Sequence, residues 1–163
     1  MRYNKVRKMD ISNGPGVRVS VFFQGCPFHC LGCFNEETWD FSLGKEYTID
    51  VENKILEFCN KDYIKGLSIL GGEPLDIKNI DSTINLARRF KEEFPDKTLW
   101  IWTGFLFPDI VNKDILNYAD VIVDGKFIIE LKDPRLKYCG SSNQRVIDVK
   151  KTKELGYIVK YED

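Results

Sequence analysis

Residues 17–33 read VRVSVFFQGCPFHCLGC, a strand pattern that runs directly into a group of cysteines. Apolar side chains stand at every second position from 17 to 23, and this alternation predicts a strand over 17–24. Cys26, Cys30 and Cys33 follow within eight residues. Closely spaced thiols directly after a strand predict a metal site at the end of a sheet.

Strands and helices alternate along the rest of the chain. This order predicts right-handed βαβ crossovers and an α/β fold with a mostly parallel sheet. The 163 residues suit a single domain over 1–163, and they are too few for a closed eight-stranded barrel of about 250 residues. The apolar spacing predicts helices over 48–59, 77–90 and 108–118, and further strands over 67–70, 99–102, 121–123 and 156–161.

The residues with chemical potential follow predicted strands. They are the cysteine loop at 26–33, the Gly-Gly-Glu-Pro segment at 71–74, and the turns at 102–105 and 124–126. In parallel α/β folds, ligand sites assemble at the C-terminal ends of the strands. The sequence therefore predicts one shared site.

Charge and hydropathy exclude some classes of partner. Lys and Arg number 24 against 25 Asp and Glu, so there is no basic excess for a nucleic-acid backbone. No segment approaches the about 18 consecutive apolar residues of a membrane span, and the first residues lack the apolar core of a signal peptide. We therefore expect a cytoplasmic protein that binds neither nucleic acid nor a membrane. In a reducing compartment, cysteines serve as metal ligands more often than as disulfides.

The C-x3-C-x2-C spacing favours an iron–sulfur cluster. Three thiolates can hold three irons of a cubane and leave the fourth iron open, whereas electron-transfer clusters take four cysteines. A zinc site that adds His29 is the alternative, and spacing alone leaves both open. Cys59, at the end of a predicted helix, and Cys139, in a polar loop, are interpreted as bystanders.

The cysteine loop after the first predicted strand, together with the Gly-Gly-Glu-Pro segment after a later strand, resembles the radical S-adenosylmethionine (SAM) superfamily. The resemblance implies a [4Fe-4S] cluster on Cys26, Cys30 and Cys33, with SAM bound at the open iron. It also implies an incomplete, laterally open (β/α) barrel. Gly32, Cys33 and Phe34 would then lie near the nucleotide.

The same resemblance extends to the methionine part of SAM. Gly71, Gly72 and Glu73 would meet its amine, with the carboxylate of Glu73 opposite the positive charge. Asp124 and Lys126 match a turn that approaches the SAM carboxylate in related enzymes. A solvated turn at the end of a strand is the alternative for these two residues.

Five further segments narrow the resemblance. Residues 13–18 (NGPGVR) and 22–27 (FFQGCP) are similar to the activating enzymes of glycyl radical proteins. Segments 100–105, 120–127 and 140–148 are similar to the branch that acts on anaerobic ribonucleoside-triphosphate reductase. This implies hydrogen abstraction from a glycine of that reductase by a 5′-deoxyadenosyl radical, with a reducing protein such as flavodoxin as electron donor.

Some alternatives remain open at the level of sequence. A radical SAM enzyme for a small molecule and a zinc-stapled binding module without catalysis are the rival functions. Asn143, Gln144 and Arg145 could bind the reductase or could cap the last turn. The sequence does not decide between these two roles.

Overall fold

A seven-stranded mixed sheet forms the centre of the computed structural model, which describes residues 1–163. Its strands are β1 (Arg2–Asp10), β2 (Arg18–Phe23), β3 (Lys45–Glu46), β4 (Gly66–Gly71), β5 (Thr98–Trp102), β6 (Val121–Asp124) and β7 (Arg145–Asp148). Their order across the sheet is β3-β1-β2-β4-β5-β6-β7. The sheet is not closed, because β3 and β7 have no strand beyond them.

The four central strands, β2, β4, β5 and β6, are parallel, as the alternation of elements predicts. The flanking strands β1 and β7 run antiparallel to their neighbours. Neither flanking strand follows from the sequence pattern, since β1 is largely polar and only partly buried. The parallel pairs bring the C-terminal ends of β2, β4, β5 and β6 to one edge.

Three α-helices accompany the sheet: α1 (Ile49–Cys59), α2 (Ile80–Glu93) and α3 (Val149–Leu155). Thr48 is the N-cap of α1, since its Oγ1 accepts a hydrogen bond of 3.3 Å from the amide of Val51. The longest helix, α2, has 14 residues. None of the helices has the length and apolar character needed to cross a membrane.

Two predicted elements are wrong. The helix expected over 108–118 is a pair of short 3-10 turns, Phe107–Asp109 and Lys113–Asn117. The extended backbone of Ile110 separates them, and the side chain of Asn112 caps the second. The strand expected over 156–161 is a single bridge between Ile147 and Lys160, and α3, which precedes it, was not expected.

The two faces of the sheet have different chemistry because strand side chains alternate. One face carries Val21, Ile69 and Ile101, which pack with α1 and α2 into the main hydrophobic core. The other face carries a smaller cluster around Trp100, with Trp102 packed against it as their two-residue spacing predicts. Trp102, on this second face, lies at the C-terminal end of β5, at the edge of the sheet where the predicted site residues follow the strands.

Candidate functional site

A cavity of about 460 Å³ opens at the C-terminal ends of the parallel strands. This volume lies within the range of small-molecule sites. The cysteine loop, the Gly-Gly-Glu segment and the turns after β5 and β6 all contribute to its wall, so the shared site expected from the strand ends is present. The residues of these segments that line the cavity include Cys26, Phe28, Cys30, Cys33, Phe34, Gly71, Gly72, Glu73, Thr103, Gly104, Gly125 and Lys126.

The three thiols of the cysteine loop are free and half-buried, and all three line the cavity. A tight turn brings the second and third together, with the amide of Cys33 donating to the carbonyl of Cys30 at 3.1 Å. Between the first and second, His29 has a left-handed backbone with φ of 46°. The loop therefore folds back on itself and presents all three sulfurs to one space.

The imidazole of His29 does not take part in a mononuclear metal site. It stacks on the indole of Trp39 with ring centroids 4.6 Å apart and an interplanar angle of 6°. No group of three or more His, Cys, Asp or Glu side chains is arranged to hold one metal ion. The ring of His29 therefore packs beside the cysteine loop.

An unpartnered donor lies at the wall of the cavity. Nε1 of Trp39 is buried and has no hydrogen-bond partner, although Trp39 lines the cavity. Buried N–H groups are rarely left without an acceptor. A sulfur-rich group held by Cys26, Cys30 and Cys33 would supply one.

Burial makes the thiols of Cys26 and Cys30 weaker acids than a free cysteine. It raises the pKa of Cys26 to about 11, and the negative charge of Glu73 adds to the increase. Burial also raises the pKa of Cys30, against the opposing effects of the Phe127 amide and the Lys126 ammonium. Iron would therefore displace protons when it binds these sulfurs.

Glu73 is a buried carboxylate at the floor of the cavity, with 1% of its surface exposed. Its Oε2 accepts hydrogen bonds from the Leu75 amide at 2.9 Å and the Thr103 hydroxyl at 2.7 Å, and its Oε1 accepts one from the Gly104 amide at 2.6 Å. Burial raises the pKa of Glu73 to about 7, and these three donors limit the increase. No cation neutralises it, so it is suited to receive the positive group of a ligand.

The glycines before Glu73 allow strand ends to approach closely. Gly71 has φ of 132°, and a Cβ there would lie 2.3 Å from the carbonyl oxygen of Phe23. A Cβ on Gly72 would lie 2.5 Å from the carbonyl oxygen of Gly25. Both glycines therefore hold the Gly-Gly-Glu segment against the start of the cysteine loop.

The turn after β6 places its two predicted site residues differently. Lys126 lines the cavity, and its Nζ lies 4.8 Å from the ring centroid of Phe28 in the cysteine loop. Asp124 is fully buried, and its carboxylate oxygens accept hydrogen bonds from Arg145 and from the amide of Phe107. Gly32 also lies outside the lining and packs against Ile129.

Comparison with known proteins agrees with this geometry. Residues 12–147 match the family model described as "4Fe-4S single cluster domain". A protein of Vibrio cholerae named anaerobic ribonucleoside-triphosphate reductase-activating protein is 42% identical over 148 residues, which cover 88% of this chain and 96% of the relative. Proteins of the same name from phage T4 and Escherichia coli K12 are 40% and 39% identical, over 90% of this chain and 93% and 97% of theirs.

The chain belongs to the anaerobic ribonucleoside-triphosphate reductase-activating protein family. The matched span contains the cysteine loop, the Gly-Gly-Glu segment and the turn after β6, so it covers every lining residue of the cavity except Arg7. The matching family model describes an iron–sulfur domain, which favours the cluster over the alternative zinc site.

Several residues that line the cavity are not predicted from the sequence. Arg7 and Ser12 reach it from the N-terminal segment, while Tyr138 and Cys139 reach it from the loop before β7. Cys139 is thus closer to the cluster loop than its polar surroundings in sequence suggest. No pattern in the sequence links these segments, because their approach depends on the antiparallel edge strands.

Proposed function

We propose that this protein activates anaerobic ribonucleoside-triphosphate reductase by generating a glycyl radical in it. The observation that carries the proposal is that Cys26, Cys30, Cys33 and Glu73 line one cavity of small-molecule size. A thiol-bound cluster and a ligand with a positive group therefore have room side by side. The names of the relatives supply the protein substrate.

The cluster ligands in this proposal are Cys26, Cys30 and Cys33. Three protein ligands leave one iron of a [4Fe-4S] cluster open for SAM. The sheet then corresponds to an incomplete, laterally open (β/α) barrel of the radical SAM type. A reducing compartment, the cytoplasm, suits such an exposed iron.

The residues proposed to bind SAM follow from their positions around the cavity. Glu73 receives the methionine ammonium, and the backbones of Gly71 and Gly72 allow its close approach. Phe34 and Cys33 lie at the nucleotide end, where Phe34 is largely exposed and its ring centroid lies 5.3 Å from that of Phe127. Lys126 supplies the cation for the SAM carboxylate. Gly32 and Asp124 act through the backbone turns that they shape.

When bound, the cluster and SAM supply reductive cleavage of the sulfur–C5′ bond by one electron, which yields methionine and a 5′-deoxyadenosyl radical able to take a hydrogen atom from glycine. The protein binds and orients SAM and excludes water from it. A small reducing protein such as flavodoxin is proposed as the electron donor. No acid–base pair is required, which agrees with a site that holds one carboxylate and no free imidazole.

The proposal is tested with the anaerobically reconstituted protein, SAM, a strong one-electron reductant and the anaerobic reductase of the same organism. We expect a glycyl radical doublet by electron paramagnetic resonance. The doublet should collapse when α-deuterated glycine is incorporated into the reductase. A reductase whose radical glycine is replaced by alanine serves as the control and should give no signal.

SAM cleavage without a radical in the reductase would contradict this function. It would favour a radical SAM enzyme that acts on a small molecule. A protein that retains about one zinc and no iron after anaerobic purification would contradict the cluster itself.

A further inference from the structure

The segment before β7 contacts the turn after β6 through a matched set of side chains. Arg145, Gln144 and Asn143 bond in order to Asp124, Gly125 and Lys126. Asp124 and Arg145 are also paired residues of the antiparallel β6–β7 ladder. The two segments therefore meet residue by residue.

Each of the three contacts has good hydrogen-bond geometry. Arg145 donates from Nε and Nη2 to the two oxygens of Asp124, at 3.0 and 2.6 Å. Nε2 of Gln144 donates to the carbonyl of Gly125 at 3.0 Å. Nδ2 of Asn143 donates to the carbonyl of Lys126 at 2.8 Å. We call the side chains of Asn143, Gln144 and Arg145 the clamp.

The clamp is itself held in place. Oε1 of Gln144 accepts hydrogen bonds from the amides of Gly140 and Ser141, at 2.8 and 3.1 Å. The Asp124 side chain is fully buried and the Arg145 side chain is 32% exposed, so the ion pair is shielded from solvent at its Asp124 end. A bidentate arginine–carboxylate pair fixes geometry as well as supplying energy.

The residue that the clamp presents is Lys126. Gly125 has φ of 96°, a conformation that favours glycine, and glycine has no side chain that could stabilise the turn. The Lys126 side chain then extends from the clamped turn into the cavity wall and over Phe28 of the cysteine loop. The clamp thus connects β7 to the surroundings of the cysteines.

We propose that Asn143, Gln144 and Arg145 are positioning residues that fix Lys126 beside the cysteine loop, where its charge assists SAM binding and favours the reduced cluster. The inference rests on the proposed function, because it concerns the SAM and the cluster of that reaction. It excludes a direct role of Asn143 and Arg145 in binding the reductase. A cation fixed near a cluster stabilises the added electron, and groups around the ligands tune potential in this way.

The test is a double-mutant cycle between Asn143→Ala and Lys126→Met. Asn143 does not line the cavity, and removing one half-buried amide leaves the core untouched. The readouts are the SAM dissociation constant by calorimetry and the midpoint potential of the cluster by a titration followed by electron paramagnetic resonance. Neither readout requires the reductase.

We expect each single variant to weaken SAM binding by about tenfold, the lower end for losing an outer-shell partner, and to lower the midpoint potential. The double variant should match Lys126→Met, since the clamp acts through that residue. Asn117→Ala, at an exposed asparagine of the second 3-10 turn, is the matched control and should behave as the parent. Arg145→Lys keeps the charge but loses the paired donors, and should shift both readouts in the same direction.

Wild-type values in Asn143→Ala, or equal losses from Asn143→Ala with and without Lys126, would overturn the inference. Loss of reductase activation with unchanged SAM affinity and potential would also overturn it, in favour of reductase binding. A parent protein that holds no cluster or binds no SAM would instead refute the proposed function. The two failures are therefore distinguishable.

Discussion

Arg18 donates a hydrogen bond of 2.8 Å from Nε to the hydroxyl of Ser68, and both side chains are fully buried. Ser68 in turn donates to the carbonyl of Asn13 at 2.6 Å. The other guanidinium nitrogens donate to Pro15, Leu67 and Thr98. All its hydrogen-bond partners are uncharged oxygens, and its Cζ lies 5.8 Å from the ring centroid of Trp100. The buried cation thus ties the N-terminal loop beside the cavity to the parallel strands.

This arrangement predicts that Arg18→Lys lowers the free energy of unfolding by about 3 kcal/mol, because three donors on a single nitrogen cannot replace the fork of five. Burial lowers the pKa of Arg18 to about 10, because it disfavours the charged form, so the buried cation depends on these hydrogen bonds. Chemical denaturation measures the effect. Arg88→Lys, at a partly exposed arginine of α2, is the control and should change stability by less than about 0.5 kcal/mol. A similar change in both variants would refute the role of the fork.

The cysteines divide into two groups by position. Cys26→Ala, Cys30→Ala and Cys33→Ala should each abolish the cluster absorbance and SAM cleavage. Cys59→Ala should retain both and cost about 1 kcal/mol of stability, since Cys59 is buried in the core away from the cavity. Iron and sulfide analysis with visible absorption checks this.

Cys139→Ala tests the same assignment more strictly, because Cys139 lines the cavity. We expect it to keep the cluster. A cluster that survives loss of Cys30 and disappears with Cys139 would reassign the ligands.

Glu73 predicts a pH dependence of SAM binding. With its pKa raised to about 7 by burial, the carboxyl is largely protonated at pH 6 and must ionise to receive an ammonium group. SAM affinity should therefore fall roughly tenfold per pH unit below about 7 and level off above it. Glu73→Gln should bind SAM weakly at every pH between 6 and 8. Calorimetry in buffers of different ionisation enthalpy detects the released proton, and its absence in the parent would count against the assignment.

The same pKa sets the sign for stability of the empty protein. A carboxyl whose pKa is raised on folding stabilises the fold below its unfolded value near 4.5, and this contribution is lost as the pH rises through about 7. Glu73→Gln should remove that decline between pH 5 and 7. Thermal melts across this window measure it.

Gly72→Ala should impair the cluster as well as SAM binding. A Cβ there meets the backbone carbonyl of Gly25, so the substitution displaces the start of the cysteine loop rather than filling ligand space. Cluster content after reconstitution is the measurement, with Gly156→Ala as control. Gly156 has open space around its Cβ position, although its φ of 77° will cost some stability. A full cluster with normal SAM affinity in Gly72→Ala would contradict this prediction, because the cysteine loop would then be able to move and accommodate the added Cβ.

Trp39→Phe removes the unpartnered N–H while keeping an aromatic ring for His29 to stack on. We expect the midpoint potential of the cluster to fall, because a hydrogen-bond donor near its sulfurs is lost. The empty protein should stay within about 1 kcal/mol of the parent, since lost apolar contact is offset by release of a buried donor. An unchanged potential would contradict a contact between the indole N–H and the cluster.

Local periodicity predicted the parts of the fold whose burial is regular. The segment that alternates over 17–24 forms β2, and the segment with helical spacing over 48–59 forms α1, because each presents one apolar face to the same core. The helix expected over 108–118 failed although its spacing is helical. Its backbone is extended at Ile110, and the Asn112 side chain takes an amide that a helix would use internally.

The site was predictable where its residues adjoin strand ends and obscure where it depends on long-range contacts. Cys26 lies three residues after β2 and Glu73 lies two residues after β4, so the sequence pattern predicts both at the same edge of the sheet. The sequence does not decide the role of Asn143, because its hydrogen bond reaches back 17 residues to Lys126, a separation that no local pattern encodes. Asp124 shows the same limit, since only the fold pairs it with Arg145.

The order of strands in the sheet has a consequence for synthesis. Apart from β3, the sheet order from β1 to β7 is the order along the chain, so each emerging strand finds its partner edge already made. The ribosome delivers these strands in turn, at about 5–20 residues per second. The cysteine loop and the Gly-Gly-Glu segment therefore emerge well before β7 and the clamp. The part of the cavity wall formed by the loop before β7 is therefore the last to be synthesised.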